Sequence, residues 1–151
     1  MKKVIHYSTF IFALVVLVMA VNTGCSKNDL SNKELLTSHP WKFSDATTNA
    51  TDSTIIKSVA LVKAFMTNSV VTFNADGTYT MTSPFLNDPE TGTWELSSDE
   101  KHITMKSDGS DSGDTGDYMR ITRLNDTELV LEMDDKTDDG TPYTLTLRWQ
   151  K

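Results

Sequence analysis

From Trp41 to the C-terminus, large apolar residues alternate with small or polar ones in short runs of period two. Trp41/Phe43, Val71/Phe73, Tyr79/Met81, Trp94/Leu96, Ile103/Met105, Met119/Ile121, Leu129/Leu131/Met133 and Tyr143/Leu145/Leu147/Trp149 mark eight candidate strands. Successive side chains of a strand point to opposite faces, so each run predicts one dry face and one wet face. Thr, Glu, Lys and Arg fill most of the intervening positions, as in an antiparallel sheet buried on one side. The connections suit chain reversal. Asn74-Ala75-Asp76-Gly77 offers a tight turn in which Gly77 can take positive φ. Residues 98–100 and 125–126 are short polar turns, and 108–116 and 134–140 are longer acidic loops.

One segment follows a different period. Ile55, Val59, Val62 and Met66 recur at helical spacing, with Ile56 and Phe65 beside them. Asp52 or Ser53 can cap the start and Asn68 can end it, which predicts a helix over 54–66 between strands one and two. Ile and Val suit a strand as well, and a strand is the competing reading. Upstream, residues 25–38 read as a polar tether. Within it Ser31 and Glu34 have capping-box spacing, and Leu30 and Leu35 flank that box, which predicts one or two helical turns over 31–37. Eight sequential strands can pack as a sandwich or close into a barrel. Closure removes both sheet edges, and eight strands leave an interior wide enough for side chains or one small ligand.

The N-terminus belongs to a different class of segment. Lys2 and Lys3 precede an apolar run of 12 residues (FIFALVVLVMAV), followed by Asn22-Thr23-Gly24-Cys25. A basic start, a short apolar stretch and small residues describe a secretory signal peptide over 1–24, whereas a spanning helix needs about 20 apolar residues. Cys25 is the only cysteine, so no disulfide forms within the chain. Its place directly after Thr-Gly resembles the lipobox of bacterial lipoproteins, although Asn22 stands where that motif usually has an aliphatic residue. The resemblance implies lipid attachment at Cys25, with palmitate-like acyl chains. It also implies a membrane partner and a place in the cell envelope, at the outer membrane, on its periplasmic or surface side. Removing Lys2 and Lys3 takes the formal charge from −7 to −9. So acidic a body argues against nucleic acid as a partner, and leaves membrane attachment to the acyl group.

Several segments of the barrel region carry a second resemblance. The run Val70-Val71-Thr72-Phe73-Asn74-Ala75-Asp76-Gly77-Thr78-Tyr79-Thr80 resembles a hairpin of the lipocalin-like lipoproteins of Bacteroidetes. Gly92-Thr93-Trp94-Glu95-Leu96 is similar to the strand that follows it there. Residues 121–131 resemble the late hairpin of that family and residues 143–151 its closing strand. The resemblance covers 39–151 and implies a calycin-type fold: an all-β, eight-stranded, antiparallel up-and-down barrel with one short helix (54–66). In lipocalins a Gly-x-Trp on the first strand packs under a basic side chain from the end of the chain. Here Trp41 follows His39-Pro40, and Arg148 is the candidate basic partner.

The barrel interior is the one place where chemistry can be sought. Tyr79, Met81, Trp94, Met105, Met119, Met133 and Tyr143 fall on the inward parity and are the candidate ligand-pocket residues. Methionine adapts to varied apolar ligands, and tyrosine adds a polar tip that can orient them. The same residues can equally fill a small barrel with no ligand. Asp108, Asp111, Asp114 and Asp117 are spaced by three rather than alternately, and an EF-type count from Asp135 puts Thr146 twelfth, so calcium is not expected. Only His39 and His102 lie beyond the signal peptide, at no zinc-ligand spacing, and no Gly-x-Ser-x-Gly elbow occurs. No metal, cofactor or enzymatic activity is expected. Asp52-Ser53-Thr54 resembles the O-glycosylation site of exported Bacteroidetes proteins, placing a sugar on Ser53, though a helix cap accounts for the same residues. The leading expectation is a membrane-anchored protein binding a small apolar or amphipathic ligand. The alternative is an interaction subunit of the envelope with a filled barrel and an unknown protein partner.

Overall fold

The computed structural model describes residues 30–111 and 113–151; Cys25 and the signal segment lie outside the described residues. Helix α1 (Asn32–Thr37) is followed by strand β1 (Trp41–Thr48), helix α2 (Ser53–Met66), then β2 (Val70–Phe73) and β3 (Thr78–Thr82). Strands β4 (Glu90–Leu96), β5 (His102–Ser107), β6 (Asp117–Leu124), β7 (Glu128–Lys136) and β8 (Pro142–Gln150) complete the chain. Each strand pairs antiparallel with the next and β8 returns to β1, so the sheet closes into an eight-stranded up-and-down barrel. The period-two runs all fall in strands, and the strand reading of 54–66 is excluded by α2.

Both helices start where the caps lie. Ser31 caps α1 with both halves of the box: its hydroxyl accepts from Glu34 N (3.2 Å), and Glu34 Oε2 accepts from Ser31 N (2.8 Å). Asp52 caps α2, accepting from Thr54 N at 2.7 Å and Ile55 N at 3.2 Å. Beyond Met66 the chain reverses through Asn68, whose φ of 64° is one that asparagine tolerates better than most residues.

Three findings depart from the sequence reading. Leu36 is fully buried, and Trp41 Nε1 donates to its carbonyl at 2.9 Å, so the α1 part of the stretch read as a tether already belongs to the packed body. Arg148 faces outward, 3.8 Å from Glu128, because Trp149 beside it takes the inward position. Cover for Trp41 comes instead from α1 and from His39, whose ring lies 4.3 Å away. Finally, residues 134–136 are strand rather than loop. Asp134 is held across the sheet by Arg120 (2.9 Å) and Thr144 (2.7 Å), and Asp135 accepts from the Tyr143 hydroxyl (2.9 Å).

If α1 rather than Arg148 seals this end, the two positions should differ sharply. Leu36→Ala should cost about 2–5 kcal/mol, as for an apolar side chain removed from a core. Arg148→Ala, breaking an exposed and long ion pair, should stay within about 1 kcal/mol. Urea unfolding of both variants checks this, and equal losses would return the role to Arg148.

Candidate functional site

The barrel interior divides into two halves along its axis. At the end covered by α1, the side chains of Trp41, Phe43, Val71, Phe73, Trp94, Ile103, Leu129, Leu131 and Trp149 are buried and form one cluster. Their rings meet edge to face, with centroids 5.4 Å apart in both the Phe43–Trp149 and Phe73–Trp94 pairs. Such pairs add to the stabilisation from burial alone. This half is solid.

The other end is different. Met81, Met105, Met133, Leu145 and Leu147 pack against the core but are only half-buried. Among them stand polar groups. Met81 is paired across the ladder with Glu90, Met105 with Asp117, and Tyr143 with Asp135, so each carboxylate shares a face with one of these residues. Tyr79, buried at 3% exposure, donates its hydroxyl to Glu90 Oε1 at 2.7 Å. This end is the barrel's mouth, apolar in its walls and acidic in its polar groups.

Gly92 makes the Tyr79–Glu90 contact possible. It lies opposite Tyr79 on β4, and a β-carbon there would stand 2.6 Å from Tyr79 Cε1 and 2.1 Å from the Lys106 carbonyl oxygen. The tyrosine ring therefore lies across bare backbone to reach Glu90. Burial, then the bond to the Glu90 carboxylate, pushes the Tyr79 phenol far above its ordinary range, so it remains a donor. Asp117 shifts upward too. It is exposed as a residue, but its carboxyl is partly desolvated against the strands, and the charges of Asp114 and then Glu90 add to that.

The seven candidate pocket residues are thus divided by the fold. Met81, Met105, Met133 and Tyr143 are half-buried toward the mouth, and Tyr79 lies beneath them. Trp94 and Met119, at 6% and 5% exposure, belong to the packed core. Trp94 is held further by its indole N–H, which donates to the Asn74 carbonyl of the β2–β3 turn at 3.0 Å. Ser53 sits exposed on the first turn of α2 beside the capping Asp52. Sequence reasoning missed Glu90 and Asp117 because acidic residues beside loops look solvated. Parity would have found them: 90 precedes inward 92 and 94, and 117 precedes inward 119. Two further clefts are surface features. One of about 330 Å³ lies outside the closed end, beside Lys33, Gly77 and Glu100. A polar one of about 300 Å³ lies between residues 49–52 and the β7–β8 connection, beside Tyr143.

A closed eight-stranded antiparallel barrel, with one end filled by aromatic rings and the other walled by half-buried methionines and leucines, has the architecture of the small ligand-binding barrels. The family described as lipocalin-like domain matches residues 38–131, and the chain belongs to that family. No curated protein matches it. Among solved structures, it is similar to a DUF4847 family protein from Bacteroides vulgatus at 15% identity and a TM-score of 0.48. The similarity covers 78% of this chain and 96% of the other.

Two variants probe the mouth. Gly92→Ala should destabilise the barrel by about 1–3 kcal/mol through overpacking against strand backbone, read as a lowered melting temperature. The second follows from Asp117. A carboxyl whose pKa is raised on folding keeps its proton to higher pH in the native state, so its ionisation costs stability at neutral pH. Asp117→Asn should therefore raise the melting temperature at pH 7. That gain should disappear below about pH 3.9, where folded and unfolded chains are both protonated at this residue. A gain that persisted in acid would assign the effect to something other than titration.

Proposed function

We propose that this chain is a lipid-anchored binding protein of the cell envelope that takes a small amphipathic ligand into the mouth of its barrel. The observation carrying this reading is the half-buried set Met81, Met105 and Met133 at the same end of the barrel as Tyr143, above a sealed aromatic floor. Flexible, polarizable methionines suit an apolar ligand of variable shape. Tyr143, Glu90 and Asp117 supply polar groups that would orient it. The signal-like N-terminus and the lipobox-like Thr23-Gly24-Cys25 support export and acylation, with the membrane reached through lipid on Cys25. On this reading the protein is not an enzyme, since its polar groups stand at a binding mouth and no nucleophile motif accompanies them.

A filled barrel serving as an envelope interaction subunit is the second reading, and the burial of Trp94 and Met119 in the core favours it. Native mass spectrometry of residues 26–151, gently purified after export, separates the two. A discrete added mass that leaves on denaturation, and is lost in Met133→Trp, is the outcome expected for a ligand at the mouth. A clean apoprotein mass after incubation with extracted envelope lipids would move the assignment to the interaction subunit. For the anchor, metabolic labelling with radioactive palmitate should mark the wild-type protein and not Cys25→Ser.

A further inference from the structure

Helix α1 meets the barrel through one titratable side chain. Ser38 ends the helix, and only His39 and Pro40 separate it from Trp41, the first residue of β1. A proline restricts the residue before it to extended backbone, so this link has little slack. The His39 and Trp41 rings lie with centroids 4.3 Å apart. Nδ1 of His39 is 2.6 Å from Ser38 Oγ, and that hydroxyl donates to the Leu35 carbonyl at 2.7 Å. With the Ser38 hydrogen committed to Leu35, its oxygen is the acceptor, and Nδ1 carries the proton of the neutral ring. Nε2 then holds a lone pair, and it is buried with no hydrogen-bonding partner among the described residues. The site is complete for a neutral imidazole and incomplete for a charged one. A second proton must go to Nε2, where it makes a buried N–H with no acceptor. Burial, and then the charge of Lys151 at the chain end, hold the His39 ring below the ordinary histidine range, while Asp126 of the β6–β7 turn pulls the other way. On α1 itself, Glu34 is engaged with Ser31 in the capping box.

We infer that His39 is an acid-sensitive clasp on α1: a second proton drives the ring off Trp41 and releases the helix from the sealed end of the barrel. Ring and helix move together because Ser38 engages both His39 and Leu35, and because Pro40 leaves the ring no independent path. The helix has few other fastenings. Leu36 is its one buried side chain, Trp41 Nε1 donates to the Leu36 carbonyl at 2.9 Å, and Asn32 bonds Glu100 of the β4–β5 turn at 3.1 and 2.9 Å. The docked state has the lower affinity for the proton. Docking is therefore strongest above about pH 6.5, the ordinary histidine value, and weakens as pH falls from there through the docked midpoint. Release uncovers Leu36 and Trp41, both fully buried when the helix is docked. The closed end thus hides an apolar surface at neutral pH and presents it in acid.

The described barrel closes and fills its core without residues 1–29, so the acyl-free chain 26–151 can be tested. NMR titration of the His39 ring gives its midpoint, and solvent exchange of the Trp41 indole N–H, corrected for the intrinsic pH dependence of exchange, reports docking of α1. We expect His39 to titrate below about pH 6.5. Trp41 protection should fall in step, by about tenfold for each unit between that midpoint and about 6.5. His39→Phe keeps a ring over Trp41 and removes the titration, so protection should no longer vary with pH. The other histidine of the described chain, His102, is stacked on Tyr118 at 4.8 Å, and His102→Gln should leave the wild-type profile intact. A His39 midpoint at or above about 6.5, or titration of His39 with Trp41 protection unchanged, would overturn the inference, as would a pH dependence that survives in His39→Phe. The wild-type titration decides alone if that variant fails to fold. Ligand mass and palmitate labelling are read separately, so a negative result here leaves the proposed function standing.

Discussion

Closure of the barrel hangs on β1, which must pair on both sides with strands of very different length. Along β8 it pairs at six positions, from Lys42 opposite Gln150 to Thr48 opposite Leu145, with a bulge between Phe43 and Asp45. Against β2 it keeps only two, Trp41 with Val71 and Lys42 with Val70. The upper part of β1 would be a bare edge, and α2 packs there instead, with Lys63 reaching Asp45. An uncovered strand edge invites pairing with another chain. The helix is thus part of the closure, and its position follows from the shortness of β2.

The same constraint shapes the interior. Where the ladder is complete and α1 lies beneath, aromatic rings fill the space, and Trp41, Phe73 and Trp149 leave no room for a ligand. Toward the mouth the wall is made of methionines and paired polar groups. There Gly92 trades strand propensity for space, because only bare backbone lets the Tyr79 ring cross β4 to Glu90. The arrangement ties an aromatic ring, a carboxylate and a glycine on two adjacent strands into one unit.

Outside, the polar faces of β6, β7 and β8 are knitted by Arg120 to Glu132 and Asp134, and by Arg123 and Arg148 to Glu128. Exposed pairs of this kind contribute little stability individually. Their consequence is register: with Arg120 and Thr144 both engaging Asp134, β7 extends through an acidic stretch that would otherwise fray as loop. In an acidic chain, scarce arginines hold neighbouring carboxylates together. The helical lysines stand apart from this network.

Much of this was legible in the residues. Alternation at Val71/Phe73, Tyr79/Met81 or Leu129/Leu131/Met133 reports burial on one face directly, because a strand has only two faces. Ser31 with Glu34, and Asp52 before Thr54 and Ile55, announce helix starts because caps act over three residues. Period and capping are local, and sequence alone therefore determined the place and order of the eight strands and the starts of both helices, while the extension of β7 through Lys136 was not legible. What it left open depends on distance along the barrel axis, which parity does not encode. Tyr79, Trp94, Met105 and Met119 share one inward parity, yet Trp94 and Met119 pack into the core while Met105 lies toward the mouth. Whether Arg148 or α1 covers Trp41, and whether Glu90 meets water or Tyr79, depended on strand stagger and on where each helix came to rest. Those were decided only by the tertiary structure, because they join residues that are far apart in the chain and held together only by closure.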